Sequence, residues 1–156
     1  MSIKPGQLRQ AIRESIRDLN PQLLTEDVVE LLMLTAAQES HCGKWLWQDT
    51  GDGGNEIPEN LAYGIFQMEE PAFKEAMSKV LRYKPHAPVG RRRLIFDLRL
   101  SIWCARCYYL RFPEPLPDAD NPGEIARYWK KYWNTRHGAG KPEEALENYR
   151  RFALEQ

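Results

Sequence analysis

The carboxyl groups in the middle of this chain fall into two kinds of surroundings. Glu39 closes the run VVELLMLTAAQES, residues 28–40, in which almost everything else is apolar or small. With a helix beginning at Glu26, Val28, Leu32, Thr35 and Glu39 lie within an arc of about 60° at roughly 100° per residue, so Glu39 belongs to the apolar face. Burial there disfavours the anion, and the negative end of the helix macrodipole repels it. Both effects raise the pKa, which is what a general acid working near neutral pH requires. A carboxyl in that place also has structural uses, as a helix-end cap or as the partner of an arginine such as Arg92 or Arg106. The loop DTGDGGNEIPEN, residues 49–60, holds Asp49, Asp52 and Glu56 among Gly, Asn and Pro, where they stay near water. Glu69 and Glu70 follow the compact segment AYGIFQM, residues 62–68. One protonated and one ionised carboxyl are the pair that glycosidic bond hydrolysis uses, the first protonating the leaving oxygen and the second activating water or attacking carbon. The other readings of the glycine-rich loop are a plain turn or a calcium loop. It lacks the spaced D-x-[DN]-x-[DN]-G-x₅-E pattern of an EF-hand.

Helices must position these groups. Pro5 opens a first amphipathic helix over 6–19, with Leu8, Ile12, Ile16 and Leu19 near one face, and Asn20-Pro21 ends it. Thr25, followed by Glu26 and Asp27, reads as an N-cap with acid in the first turn, and the helix behind it is too apolar for a surface position, so it is central. Pro71 opens a helix to about Tyr83 with Phe73, Ala76, Met77 and Val80 on one side. Arg91 to Arg111 reads as one long helix with Leu94, Ile95, Leu98, Ile102, Ala105 and Tyr109 inward, ended by PEPLP. Asn121-Pro122 caps a helix carrying Ile125, Tyr128, Trp129 and Tyr132, the Gly138-Ala-Gly140 turn breaks it, and Pro142 opens a last helix to about Leu154. No segment alternates with a strand period and none repeats, so the class is mainly α.

At 156 residues the chain is long enough for one domain, residues 1–156, with a single core. Its 22 basic and 22 acidic side chains cancel, which argues against a nucleic-acid partner. No apolar run approaches the ~20 residues of a membrane span, and residues 1–20 lack a signal-peptide core, so the expectation is a chain made in the cytoplasm without membrane insertion. Three cysteines cannot form a complete disulfide framework. Zinc would have to combine Cys104 and Cys107 with the distant His41-Cys42 pair, an arrangement unlike the two short-turn ligand pairs of structural sites, so neither metal nor cofactor is expected.

Three segments carry a resemblance. Glu39-Ser40-His41-Cys42-Gly43-Lys44, then Gly51-Asp52-Gly53-Gly54-Asn55, then Tyr63-Gly64-Ile65-Phe66-Gln67-Met68, resemble the goose-type lysozyme signature ESHAGK, GDxGN and FGLMQV in the same order. The offset of thirteen residues from Glu39 to Asp52 is also that of the family. Soluble lytic transglycosylases share the first and third parts and usually lack the acid of the second. Residues 134–140, NTRHGAG, resemble the family's downstream YNAGxG turn. The likeness is strong over residues 36–69 and weaker over 125–140, with no motif in the first 25 or last 15 residues. The chain departs from the pattern at Glu69, where the family has Asp, at Phe66 in place of Met, at Trp133 in place of Tyr, and in the inserted residues 56–61.

The resemblance implies a lysozyme-like fold that cleaves the β-1,4 bond between N-acetylmuramic acid and N-acetylglucosamine of peptidoglycan with inversion. It makes Glu39 the acid and gives water activation to Asp52 and Glu69. Ser40, His41, Asn55, Tyr63, Gln67, Trp133 and Asn134 become the substrate-binding candidates, Gln67 toward an N-acetyl group and the aromatic rings as platforms for sugar faces. The family tyrosine that touches the acid is either missing here or replaced by Tyr132 or Tyr63. Arg91, Arg92 and Arg93 either face solvent or draw in the anionic wall. The expected partner is the glycan strand and the expected state a monomer, acting in the periplasm or wall as a phage endolysin or virion-associated lysin. The rival readings are a lytic transglycosylase that forms an anhydro sugar and a catalytically silent wall-binding or virion structural protein.

Overall fold

The computed structural model describes residues 2–154. It is mainly α, and the central position of the second helix follows from its composition. Helix α1 (Pro5–Leu19) buries Leu8, Ile12, Ile16 and Leu19 along one face, and Asn20 leaves the helical conformation to cap the 3₁₀ turn Pro21–Leu23. Helix α2 (Glu26–Ser40) starts at Thr25, whose Oγ1 accepts the amide hydrogen of Val28 at 3.2 Å. Val28, Val29, Leu31, Leu32, Met33, Leu34, Ala36 and Ala37 are all fully buried, so α2 has no solvent face over these turns. It is enclosed by α1, by α5 (Leu98–Tyr109), by α6 (Pro122–Trp129) and by α7 (Pro142–Asn148). Each fully buried leucine contributes about 1.5–3 kcal/mol, which makes α2 the element around which the others are stable.

An ion pair ties this bundle across its end. Arg9 of α1 donates through Nε and Nη2 to the two carboxylate oxygens of Glu30 at 2.7 and 3.0 Å, and Tyr149 donates to the same carboxylate at 2.7 Å. The Arg9 side chain also reaches the Ala153 carbonyl, so α1, α2 and the C-terminal turn share one polar junction. Bidentate geometry and the added hydroxyl bond offset the desolvation of two largely buried charges.

A second apolar cluster lies beside α2, built by α3 (Glu70–Tyr83) against α5, with Phe73, Ala76, Met77 and Val80 of α3 facing Leu100, Trp103, Cys104 and Cys107. The single helix expected over 91–111 is two. Short α4 (Arg93–Phe96) and α5 are separated by Asp97, which is extended at φ −120° and ψ 96°. The cause is local: the Asp97 carboxylate accepts the Leu100 amide at 2.9 Å and so starts a new helix. Ser101 Oγ then donates to the Leu94 carbonyl freed by the break. Leu94 and Ile95 remain buried, Leu98 is half-buried, and Phe96 turns outward with 73% of its surface exposed.

Asn121 caps α6 as expected, accepting the Glu124 amide, and α6 continues into a π-helical turn over Lys130–Asn134. The last helix has the expected extent, with a π-helical turn over Tyr149–Leu154. Among the described residues the extended backbone amounts to two isolated bridges, Trp47 with Tyr63 and Tyr63 with Met68.

Candidate active site

Glu39 occupies the last turn of α2, at the floor of an open cleft of about 640 Å³. Its Oε1 accepts a hydrogen bond from the indole Nε1 of Trp129 at 3.1 Å, across 90 positions of sequence. Burial pushes its pKa up to about 7, and the charge of Glu69 acts in the same direction, while the indole bond opposes them by favouring the carboxylate. Neither Arg92 nor Arg106 pairs with it among the described contacts; Arg106 donates to the Leu23 carbonyl instead. The wall behind Glu39 is rigid, because Tyr109 is 1% exposed and its hydroxyl shares a 2.9 Å bond with Thr35 Oγ1.

Glu69 reaches the same cleft from the residue immediately before α3, on the exposed side. Gln67 reaches it from a left-handed backbone position, φ 47°, with its amide donating to the Gly64 carbonyl at 2.8 Å. That turn is closed by reciprocal backbone bonds between Tyr63 and Met68. Gly64 makes it possible: its φ is +80°, and a Cβ there would stand 2.6 Å from the Leu94 carbonyl oxygen. Trp133 and Asn134 line the cleft from the π-helical turn. Trp133 packs on Tyr109 at 5.1 Å and on Tyr108 at 5.0 Å, and the Asn134 Oδ1 accepts from Lys130 Nζ at 2.6 Å. Five of the ten candidates thus share one cleft: Glu39, Glu69, Gln67, Trp133 and Asn134.

The other five stand outside the cleft lining. Ser40 is fully buried; its hydroxyl donates to the Ile65 carbonyl at 2.6 Å and accepts from the Gly43 amide at 2.9 Å, stapling the end of α2 to the 63–68 turn. His41 turns the other way, stacked on Phe152 at 4.1 Å and edge-on to Trp45 at 4.7 Å. The left-handed φ values of His41 and Cys42, 49° and 57°, reverse the chain here and explain the change of side. Tyr63 is 3% exposed, its hydroxyl donates to the Pro58 carbonyl, and Arg91 covers its ring at 4.1 Å. The polar groups of Ser40 and Tyr63 are thus spent within the fold, and the His41 ring is packed between aromatic neighbours. Asn55 is exposed and donates to the Asp52 carbonyl at 2.5 Å. Asp52 holds its own loop, its two carboxylate oxygens accepting the amides of Gly54 at 2.9 Å and Glu56 at 2.8 Å.

The contact with Glu39 for which Tyr132 and Tyr63 are the candidates is made by an indole. Tyr63 is committed to Pro58 and Tyr132 stacks on Phe112 at 4.3 Å, while Trp129, fully buried, donates to Glu39. Its one signal in sequence is its place four residues after Ile125 on the inward face of α6. Tyr108 and the Arg111–Glu75 ion pair, 2.9 Å, also line the cleft and carried no motif. Among the described residues no group of three or more His, Cys, Asp or Glu gathers as a metal ion would require. No protein-family model, curated protein or solved structure matches the chain.

Proposed function

We propose that this protein cleaves the β-1,4 bond between N-acetylmuramic acid and N-acetylglucosamine in peptidoglycan, with Glu39 as the general acid. The observation that carries the reading is the pairing of two unlike carboxyls in one open cleft: Glu39, buried with a pKa near 7, and the exposed Glu69 whose charge it feels. The indole N–H of Trp129 donates to Oε1, which leaves Oε2 free of that bond and open to present the acidic proton to the cleft. That proton passes to the glycosidic oxygen as the bond breaks. The carboxylate left behind keeps the Trp129 hydrogen bond, which favours its charged form. Glu69 takes the proton of a water attacking the opposite face of the sugar, giving inversion, and Trp133 with Tyr108 offers ring faces to the sugars.

A second reading rests on Asp52. Both of its carboxylate oxygens are held by loop amides and it does not line the cleft, which favours a site with one principal catalytic carboxyl, as in a lytic transglycosylase, where the muramic 6-hydroxyl closes on the anomeric carbon. Digestion of purified sacculi followed by mass spectrometry separates the two. Hydrolysis yields reducible muramic ends, whereas transglycosylation yields products lighter by one water that resist borohydride. Glu39→Gln is expected to lower cleavage by about 10²-fold or more in either case, and Glu69→Gln to do so only for the hydrolase. Absence of any cleavage by the folded wild-type protein would leave a silent wall-binding or virion structural role.

A further inference from the structure

The charge of this chain cancels overall but not locally. Residues 82–99, RYKPHAPVGRRRLIFDLR, contain six basic side chains and one acidic one. The acid, Asp97, is committed to the cap of α5. Three of the cations are also occupied: Lys84 and Arg99 pair with Asp18 at 3.4 and 3.3 Å, and Arg91 covers Tyr63 and donates to the Leu61 carbonyl. Arg82, Arg92 and Arg93 are exposed, with no ion pair or side-chain hydrogen bond among the described residues.

The same segment carries most of the exposed large apolar side chains. Tyr83, Val89 and Phe96 are 38%, 65% and 73% exposed, and the fourth such residue, Leu154, lies at the far end of the chain. Single exposed apolar side chains are ordinary, but here three fall within one short stretch of chain interspersed with six cations, the composition of an interaction segment. Phe96 is held outward by construction, since the break at Asp97 and the burial of Leu94 and Ile95 leave its ring no inward path. Arg92 and Arg93 stand four and three residues before it, which puts their side chains on the same side of the α4 turn.

We propose that the 82–99 face docks on an anionic phospholipid surface, with Arg92 and Arg93 at the phosphates and Phe96 and Val89 entering the headgroup and acyl boundary. Charge complementarity selects an anionic partner. The aromatic and aliphatic side chains between the cations select a bilayer over a soluble polyanion or the wall, because only a bilayer offers an apolar phase directly beneath its phosphates. Since no helix of the described residues is long and apolar enough to span, the contact is peripheral.

The test is co-sedimentation of the full chain with vesicles of phosphatidylcholine alone or with 30% phosphatidylglycerol. Binding is expected only to the anionic vesicles, and it should weaken with salt. Arg92→Gln with Arg93→Gln is expected to lower the partition on the order of 30-fold, at about fivefold per arginine near the surface. Phe96→Ser with Val89→Ser should lower it by about 10-fold or more, and both pairs lie on the surface, so unchanged melting temperatures certify the fold. No binding to anionic vesicles overturns the proposal. So does binding that the arginine pair abolishes and Phe96→Ser with Val89→Ser leaves intact, which would mark a generic polyanion site, as would equal competition by soluble polyphosphate. Retention on lipid-free sacculi through these same four residues would assign the face to the wall instead.

Discussion

Glu39 makes the stability of the protein depend on pH even without substrate. Its carboxyl is held at about 7 by burial and by Glu69, against about 4.3 for a freely exposed glutamate in the unfolded chain. Between these values the native state binds more protons than the unfolded state, so the free energy of unfolding falls as pH rises. The stability contributed by the protonated form is complete below about pH 4 and is lost as pH passes through 7. Glu39→Gln removes the titration while keeping the shape and the acceptor for Trp129. The stability of the variant relative to wild type should therefore improve by about 3 kcal/mol between pH 4 and pH 8, measured by urea unfolding at both. A difference that does not move with pH would mean that Glu39 is ionised in the folded protein, and would remove the basis for its proposed role as an acid.

At the scale of the element, the segment from α6 to α7 sets the geometry around Glu39. Trp129 ends α6 and bonds Glu39, the π-helical turn carries Trp133 and Asn134 into the cleft, and the Gly138–Gly140 turn packs back on both. A Cβ at Gly140 would stand 2.6 Å from Trp129 Cη2 and 3.0 Å from Asn134 Nδ2, so alanine there must displace the indole or the amide. Gly140→Ala should cost about 1–3 kcal/mol in stability by overpacking. Its effect on the proposed sacculus cleavage should exceed what the small loss of folded protein explains, because the shift passes to the hydrogen bond at Glu39. A variant as stable and as active as wild type would show that this turn is free to yield.

The whole molecule keeps its three thiols buried and unbridged. Cys42 packs in the cluster around α2, Cys104 and Cys107 in the cluster between α3 and α5, and all three are free and buried. Burial pushes the Cys42 thiol up to about 12 and Cys107 to about 11, and raises Cys104 well above its ordinary value, so the thiolate that would react is scarce. A thiol reagent at pH 8 should label none of them in the native protein and all three in denaturant, and reductant should leave the melting temperature unchanged. Rapid native labelling, or a large drop on reduction, would contradict this packing. The first and last turns of most helices were legible in sequence because their causes lie within a few residues: Thr25 and Asn121 bond amides three positions ahead, and Pro5, Pro71 and Pro142 sit where a first turn lacks a partner. The apolar face of Glu39 was legible for the same reason, since helical period alone places it. The break at Asp97 had an equally local cause, and the apolar period running across it masked the cap. What only the tertiary structure decided was the company Glu39 keeps. Trp129 approaches from 90 positions away, Glu69 shares the cleft while Asp52 caps its own loop, and Ser40, His41 and Tyr63 turn into the fold. Spacing along a chain fixes which side chains share a face of one helix, but the surroundings of a carboxyl, and hence its protonation, are set by segments that meet only when the chain packs.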